Sequence, residues 1–262
     1  MDNILQVRNL TAGYRSPIVS DISFSVGGGE IVGILGRNGQ GKTTLLKGIS
    51  ADVKLFSGEV WIDGNDCTRM SVKNRAGFLS LLPQKTYITE GITAEEIMEM
   101  GCYSKHSFFR APSCEHRRKI EIAAKKLGIE NLLEKDCSKL SIGQQQMVLL
   151  GRMLVQDTKV LLLDEPNAAL DYYNTQTLFQ TLRSLVREQK KAGVLVLHDP
   201  ETALRWCDRL LILDKGKLID DFSISSADEK RIETALQKIY PKIKVQKNPV
   251  NGGYFCYLQE IN

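Results

Sequence analysis

Residues 31–35, Ile-Val-Gly-Ile-Leu, run without a polar break and lead straight into GRNGQGKTT at 36–44. A short apolar run of this kind suits a strand buried on both faces, as in the largely parallel sheet of an α/β protein. Three more such runs follow, Phe78–Leu82, Val160–Leu163 and Val194–Leu197. Each run ends in polar or glycine-rich chemistry: Gly36 onward, then Gln84, Asp164-Glu165 and His198. Open α/β sheets gather their ligands at the carboxyl ends of strands. Four equipped strand ends therefore predict one shared site.

The first 30 residues behave differently. Apolar and polar positions alternate along Ile4-Leu5-Gln6-Val7 and Ile22-Ser23-Phe24-Ser25-Val26, predicting half-buried strands, and Gly27-Gly28-Gly29 breaks the pattern. Between Gln84 and Val160 the spacing turns helical. Thr93 to Met100 reads as a short helix. After Ser113, a candidate N-cap, Ile120, Ala123, Ala124 and Leu127 recur at helical spacing, and Gly128 suits the C-cap. This stretch reads as a helical subdomain inserted into the sheet domain. Beyond residue 222, Ala227–Ile239 reads as a helix, and Pro241 and Asn251-Gly252-Gly253 flank two short strand-like pieces. That tail is too short for a core of its own.

The stretch Gly36, Arg37, Asn38, Gly39, Gln40, Gly41, Lys42, Thr43 and Thr44 matches G-x-x-x-x-G-K-[ST], in the strand-then-helix setting that a phosphate-binding loop needs. Glycines at 36, 39 and 41 let backbone N–H groups turn toward phosphate oxygens, helped by the N-terminus of the next helix. Lys42 supplies positive charge to the β- and γ-phosphates of a bound nucleotide, and Thr43 can ligate Mg²⁺. In VLLLDEP at 160–166, Asp164 ends the strand and supplies the second Mg²⁺ contact. Neighbouring side chains on an extended strand point in different directions. Glu165 is thereby expected to face the attacking water as general base, a role worth a factor of about 10²–10⁴.

One helix length ahead of VLLLDEP lies LSIGQ at 140–144. Ser141 and Gln144 fit the S-x-x-Q capping box, so a helix is expected to begin there. Met147, Val148, Gly151, Leu154 and Val155 would give it one buried face. Its N-terminus, with Ser141 and Gly143, presents donors and a positive dipole end to an anion.

With LSIGQ and VLLLDEP in this order, residues 1–222 resemble an ATP-binding-cassette (ABC) ATPase. The resemblance implies an α/β fold: a P-loop NTPase core at 1–86 and 157–222 with an N-terminal antiparallel β region, and an inserted helical subdomain at 87–156. Residues 223–262 form a small C-terminal extension. It further implies that Gln84, in LLPQ, is the Q-loop glutamine, which contacts Mg²⁺ or water and senses the transmembrane partner. Asp171, in NAALD, is then the D-loop acid, His198 the switch histidine at the γ-phosphate, and Tyr14 the aromatic that stacks on adenine. Ser141, Gly143 and Gln144 would act on ATP held mainly by a second cassette. Two departures stand out. Ile142 replaces the first glycine of the usual LSGGQ, and Gln145 replaces a frequent basic residue. A β-branched residue is excluded only where φ is positive, and the first helical position needs helical φ, so Ile142 is expected to be tolerated.

Composition narrows the setting. With 25% charged residues, 42% hydrophobic residues and a net charge of +4, the chain carries too little positive charge to suggest nucleic acid. No run approaches the length of a membrane-spanning helix, and the start, MDN, lacks the basic and apolar segments of a signal peptide. Six cysteines without a C-x-x-C pair, beside three histidines, read as reduced cytoplasmic thiols. Residues 91–109 resemble the TVxExVxxGRxPH segment of iron-chelate and cobalamin importers: Thr93, Glu96 and Gly101 match, Cys102 replaces the arginine, and His106 is displaced. LRWCDRLLIL at 204–213 and the short extension fit that group as well. The resemblance implies ATP-driven uptake of a ferric siderophore, haem or cobalamin at the cytoplasmic face of the cell membrane. Two ATPase subunits, expected as a homodimer, would work on two polytopic permease subunits served by a substrate-binding protein. The alternatives are a soluble non-transport ABC ATPase of the iron–sulfur assembly type, an importer of another substrate, and an ATP-gated scaffold that does not hydrolyse, for which Ile142 is the only support.

Overall fold

The computed structural model describes residues 2–84, 86–104, 114–249 and 252–259. The expected N-cap Ser113, together with His106 and Asn251, lies outside the described residues. Strands β1 (Asn3–Gly13) and β2 (Pro17–Gly27) come first, longer than the alternating segments alone suggested. Then follow β3 (Ile31–Leu35), α1 (Lys42–Ser50), β4 (Lys54–Ile62), the two-residue β5 (Asn65–Asp66), the single turn α2 (Val72–Arg75) and β6 (Leu79–Leu82). The helical stretch holds α3 (Ala94–Glu99), α4 (Cys114–Leu127) and α5 (Ile142–Gln156). Next in the chain are β7 (Val160–Asp164), α6 (Tyr172–Glu188), β8 (Ala192–Val196), α7 (Pro200–Trp206), β9 (Arg209–Asp214) and β10 (Lys217–Ser223). The last elements are α8 (Glu229–Gln237), β11 (Ile243–Lys247) and β12 (Tyr254–Leu258).

Local chemistry sets most of these boundaries. Thr93 caps α3 in a reciprocal box with Glu96, and Asp228 caps α8 by accepting from the Arg231 N–H. The expected helix at 227–239 is thus shorter, because Asp228 competes for the backbone at its start. Gly128, at φ +66, ends α4 in the left-handed conformation that glycine adopts without a Cβ penalty.

Two sheets carry the fold. One is antiparallel, in the order β2-β1-β4-β5; the other runs β10-β9-β3-β8-β7-β6. In the second sheet β6, β7, β8, β3 and β9 are mutually parallel and β10 is antiparallel at the edge. All five residues of β3, of β7 and of β8 are buried. Successive residues serve different cores. Val160 and Leu162 face α1 and the antiparallel sheet, whereas Leu161 and Leu163 face the helices on the far side. Burial on both faces is why these strands read as unbroken apolar runs.

The far-side core explains one departure from expectation. Rather than a single buried stripe, α5 buries Gln146, Met147, Val148, Leu149, Leu150, Gly151, Met153 and Val155, while Leu154 is half-buried. The helix touches α3, α4, α6 and β6, so it has neighbours on most of its circumference. The same core takes in Ile232, Ala235, Leu236, Ile239, Ile243 and Val245 from beyond residue 222. These residues build onto the main body, and β11 and β12 pair as an antiparallel hairpin beside it.

Candidate functional site

The loop after β3 is shaped by three glycines for two reasons. A Cβ on Gly36 would lie 2.4 Å from the Leu213 carbonyl oxygen on the adjacent β9, so only glycine fits there. Gly39 and Gly41 have φ of +78° and +97°, which L side chains rarely adopt. Helix α1 then starts at Lys42, and the N–H groups of its first turn have no partner within the helix. The Lys42 ammonium folds back over the loop and donates to the carbonyls of Gly36 (2.7 Å) and Arg37 (3.1 Å). Burial pulls it below the usual lysine range, against the opposing pull of Glu165 and Asp164. Gln40 ties the loop to the β9–β10 turn, its side-chain oxygen accepting from the Lys215 N–H and its carbonyl from the Gly216 N–H at 3.2 Å.

The neighbouring strand ends converge on this loop. Asp164 is the last residue of β7 and is buried, with Thr43 hydrogen-bonded to its carboxylate. Burial raises its pKa, and the Thr43 bond opposes that rise. Its Oδ1 is buried without a hydrogen-bond partner. An orphaned carboxylate oxygen beside a threonine hydroxyl is a poor end state for a polar atom, and such hard oxygen donors suit Mg²⁺. The residues present therefore fit that ion.

Glu165 departs from the expected geometry. It lies beyond the end of β7, in the left-handed region at φ +50°, and not on extended strand. Its N–H still donates to the Val196 carbonyl (3.0 Å), so the backbone keeps the β7–β8 register while the chain turns. That turn, and not strand alternation, sets the direction of its side chain. Gln84 Nε2, after β6, donates to Glu165 Oε2 at 2.6 Å, and His198 Nε2, after β8, contacts Oε1. A cleft of ≈ 420 Å³ is lined by Ile18, residues 38–44, Gln84, Glu165 and His198. Three of the four strand-end groups thus meet the loop that follows the fourth strand.

Other expected site residues lie elsewhere. Tyr14 sits in the β1–β2 turn, 54% exposed and outside the cleft lining, whereas Ile18 at the start of β2 is in it. Ile18 was missed because a lone apolar residue near a strand start carries no motif. Ser141 caps α5 through a reciprocal box: its Oγ accepts from the Gln144 N–H (3.3 Å), and Gln144 Oε1 accepts from the Ser141 N–H (3.1 Å). Ile142 follows as the first helical residue, 72% exposed and without positive φ, as expected. A Cβ on Gly143 would lie 2.8 Å from the Ala169 carbonyl oxygen, so the NAALD segment of the same chain demands glycine there. Gln145 Nε2 donates to the carbonyls of Cys137 (3.1 Å) and Leu140 (3.1 Å), closing the loop ahead of α5. Asp171 caps α6 by accepting from the Asn174 N–H at 2.8 Å.

A glycine loop between a buried strand and a helix, ringed by an acidic pair, a glutamine and a histidine from adjacent parallel strands, defines a P-loop nucleoside triphosphatase. The ABC transporter family model matches residues 19–168, and the chain belongs to that family. It is an ATP-binding protein and an ATPase. The chain is 33% identical over 223 residues to the hemin import ATP-binding protein HmuV of Bordetella pertussis, covering 82% of this chain and 84% of the relative. Similarity to the iron(3+)-hydroxamate import ATP-binding protein FhuC of Bacillus subtilis is 34% over 220 residues, covering 84% and 82%. Among solved structures, the dimeric MJ0796 cassette bound to ADP and Pi in a post-hydrolysis state superposes with a TM-score of 0.76 at 28% identity, over 84% of this chain and 98% of that one. Among the described residues, no helix is long and apolar enough to cross a membrane.

Proposed function

We propose that this chain is the ATP-hydrolysing subunit of an importer for an iron chelate (a ferric siderophore or haem) or cobalamin. The observation that carries the ATPase chemistry is the convergence of Gln84, Glu165 and His198 on the loop at 36–44. Similarity to the hemin and iron(3+)-hydroxamate import ATP-binding proteins supports the cargo class. In this reading residues 1–86 and 157–222 are the nucleotide-binding core, 87–156 the helical subdomain that meets a polytopic permease, and 223–262 the extension. The subunit works at the cytoplasmic face of the membrane as one of a pair, with a substrate-binding protein delivering cargo on the other side.

The residues divide the work as follows. Backbone N–H groups of the loop and Lys42 hold the ATP phosphates, while Ile18, with Tyr14 near it in sequence, borders the nucleoside side. Thr43, Asp164 and Gln84 would hold Mg²⁺, whose contribution is to neutralise charge on the β- and γ-phosphate oxygens. Glu165 takes the proton of the attacking water, and His198 contacts the γ-phosphate. Ser141, Gly143 and Gln144 of one copy approach the nucleotide of the other, next to Asp171 at the pair interface. The barrier falls through positioning and electrostatics. Affinity capture of the tagged full chain from detergent-solubilised membranes tests the importer reading. A polytopic membrane protein should co-purify; capture of soluble partners alone would contradict it.

A further inference from the structure

Among the described residues, those beyond 222 line none of the cleft at 36–44, yet they reach the loop that carries His198. Tyr240, past the end of α8, donates its hydroxyl to the His198 backbone carbonyl at 3.0 Å. From the other side, the Cys256 N–H in β12 donates to Glu201 Oε1 at 2.7 Å. Glu201 lies in the first turn of α7, three residues after His198. The segment 198–201 is therefore gripped at both ends by the extension. Between the grips, Pro200 shares a crevice with Tyr240, Ile243, Cys256 and Leu258.

The grip has a firm base. Ile232, Leu236, Ile239 and Ile243 belong to the main core. Asp220 on β10 also receives Arg231 (3.0 Å) and Lys238 (2.8 Å), fastening α8 to the large sheet. The main sheet holds the entry to the segment, where Leu197 is buried and its N–H donates to the Ile34 carbonyl at 3.1 Å. Strand β8 ends at Val196, and the Asp199 side chain serves only the start of α7, accepting from the Glu201 and Thr202 N–H groups.

We propose that the C-terminal extension braces the switch loop and that Tyr240 is a positioning residue for ATP hydrolysis, acting on Glu165 through His198. The inference rests on the reading of His198 as a γ-phosphate contact. A fixed His198 peptide holds the imidazole where its Nε2 meets Glu165, so the cost of ordering this group falls on folding and not on each turnover.

Steady-state ATPase kinetics of the full chain over a range of MgATP concentrations test the brace. Tyr240→Phe removes only the hydroxyl. It should lower kcat by a factor of about 2 to 10, the worth of one hydrogen bond, with KM for ATP within about twofold and the variant fully folded at the assay temperature. Glu201→Ala should lower kcat in the same range, and Glu201→Gln, which keeps an acceptor oxygen, should restore it. Wild-type kcat in both Tyr240→Phe and Glu201→Ala overturns the brace, and so does a loss accounted for by unfolded protein at the assay temperature or no rescue in Glu201→Gln. His198→Ala separates the two readings. If it turns over like wild type, the role of His198 itself is wrong; if it is slow while Tyr240→Phe is not, only the brace fails.

Discussion

Gln84 and Glu165 lie on different strand ends, yet the glutamine amide donates to the glutamate carboxylate at 2.6 Å. His198 takes the other oxygen of the same carboxylate. Both oxygens of the Glu165 carboxylate are thus engaged from neighbouring strand ends, which fixes its direction. A second carboxylate at position 84 would put like charges side by side and raise the pKa of one of them. For Gln84→Glu, the acidic limb of the kcat/KM profile for ATP should therefore move to higher pH by about one unit or more. An unmoved limb would show that residue 84 does not face the base during turnover.

Lys42 is held over the loop by two carbonyls and is buried among loop atoms. The loop's other cation, Arg37, is not among the residues lining the cleft, so Lys42→Ala should weaken ATP binding by about 10- to 100-fold, the usual worth of a hydrogen bond to a charged group. Calorimetric titration with a non-hydrolysable ATP analogue measures this directly.

The first two helical positions of α5 should respond in opposite ways. Ile142 is exposed, so Ile142→Gly should leave ATPase activity within about twofold and cost about 0.5–1 kcal/mol in helix stability. Gly143→Ala drives a Cβ against the Ala169 carbonyl oxygen at 2.8 Å. Either α5 or the 167–171 segment must shift, and the expected result is a clear loss of turnover with nucleotide binding to the isolated subunit retained. Paired ATPase and binding assays on the two variants check the contrast.

The parts of this site legible in the sequence are those set by local chemistry or by burial on both faces. Ile31–Leu35 and Val160–Asp164 read as buried strands because every residue in them meets a core. Ser141 and Gln144 read as a helix start because their bonds are three residues apart. What escaped was decided by contacts distant in the chain. The left-handed turn at Glu165 follows from its bond to Val196 and its place beyond the strand, so alternation was the wrong rule there. The need for glycine at 143 comes from Ala169, and the grip of Tyr240 on His198 spans two separate elements. The broad burial of α5 likewise reflects its surroundings more than its own spacing.

Acid should loosen the extension through Asp220. Burial raises its pKa, but the Arg231 and Lys238 bonds outweigh burial and bring it down to about 2. A carboxyl depressed in the folded state contributes stability that is full above its unfolded pKa and lost as pH falls through the folded value. The contribution, on the order of 2 kcal/mol at neutral pH, should fade between about pH 4 and pH 2. Urea unfolding of wild type and Asp220→Asn should therefore differ most near pH 7 and converge as pH drops.

We propose that ATP is held between two copies and hydrolysed with Glu165 as base. Light scattering of Glu165→Gln with and without MgATP, beside its steady-state ATPase rate, tests it most directly. The expected result is a stable ATP-dependent dimer with turnover reduced by about 10²–10⁴. A variant that stays monomeric in ATP and turns over at the wild-type rate would rule out both the shared ATP and Glu165 as base.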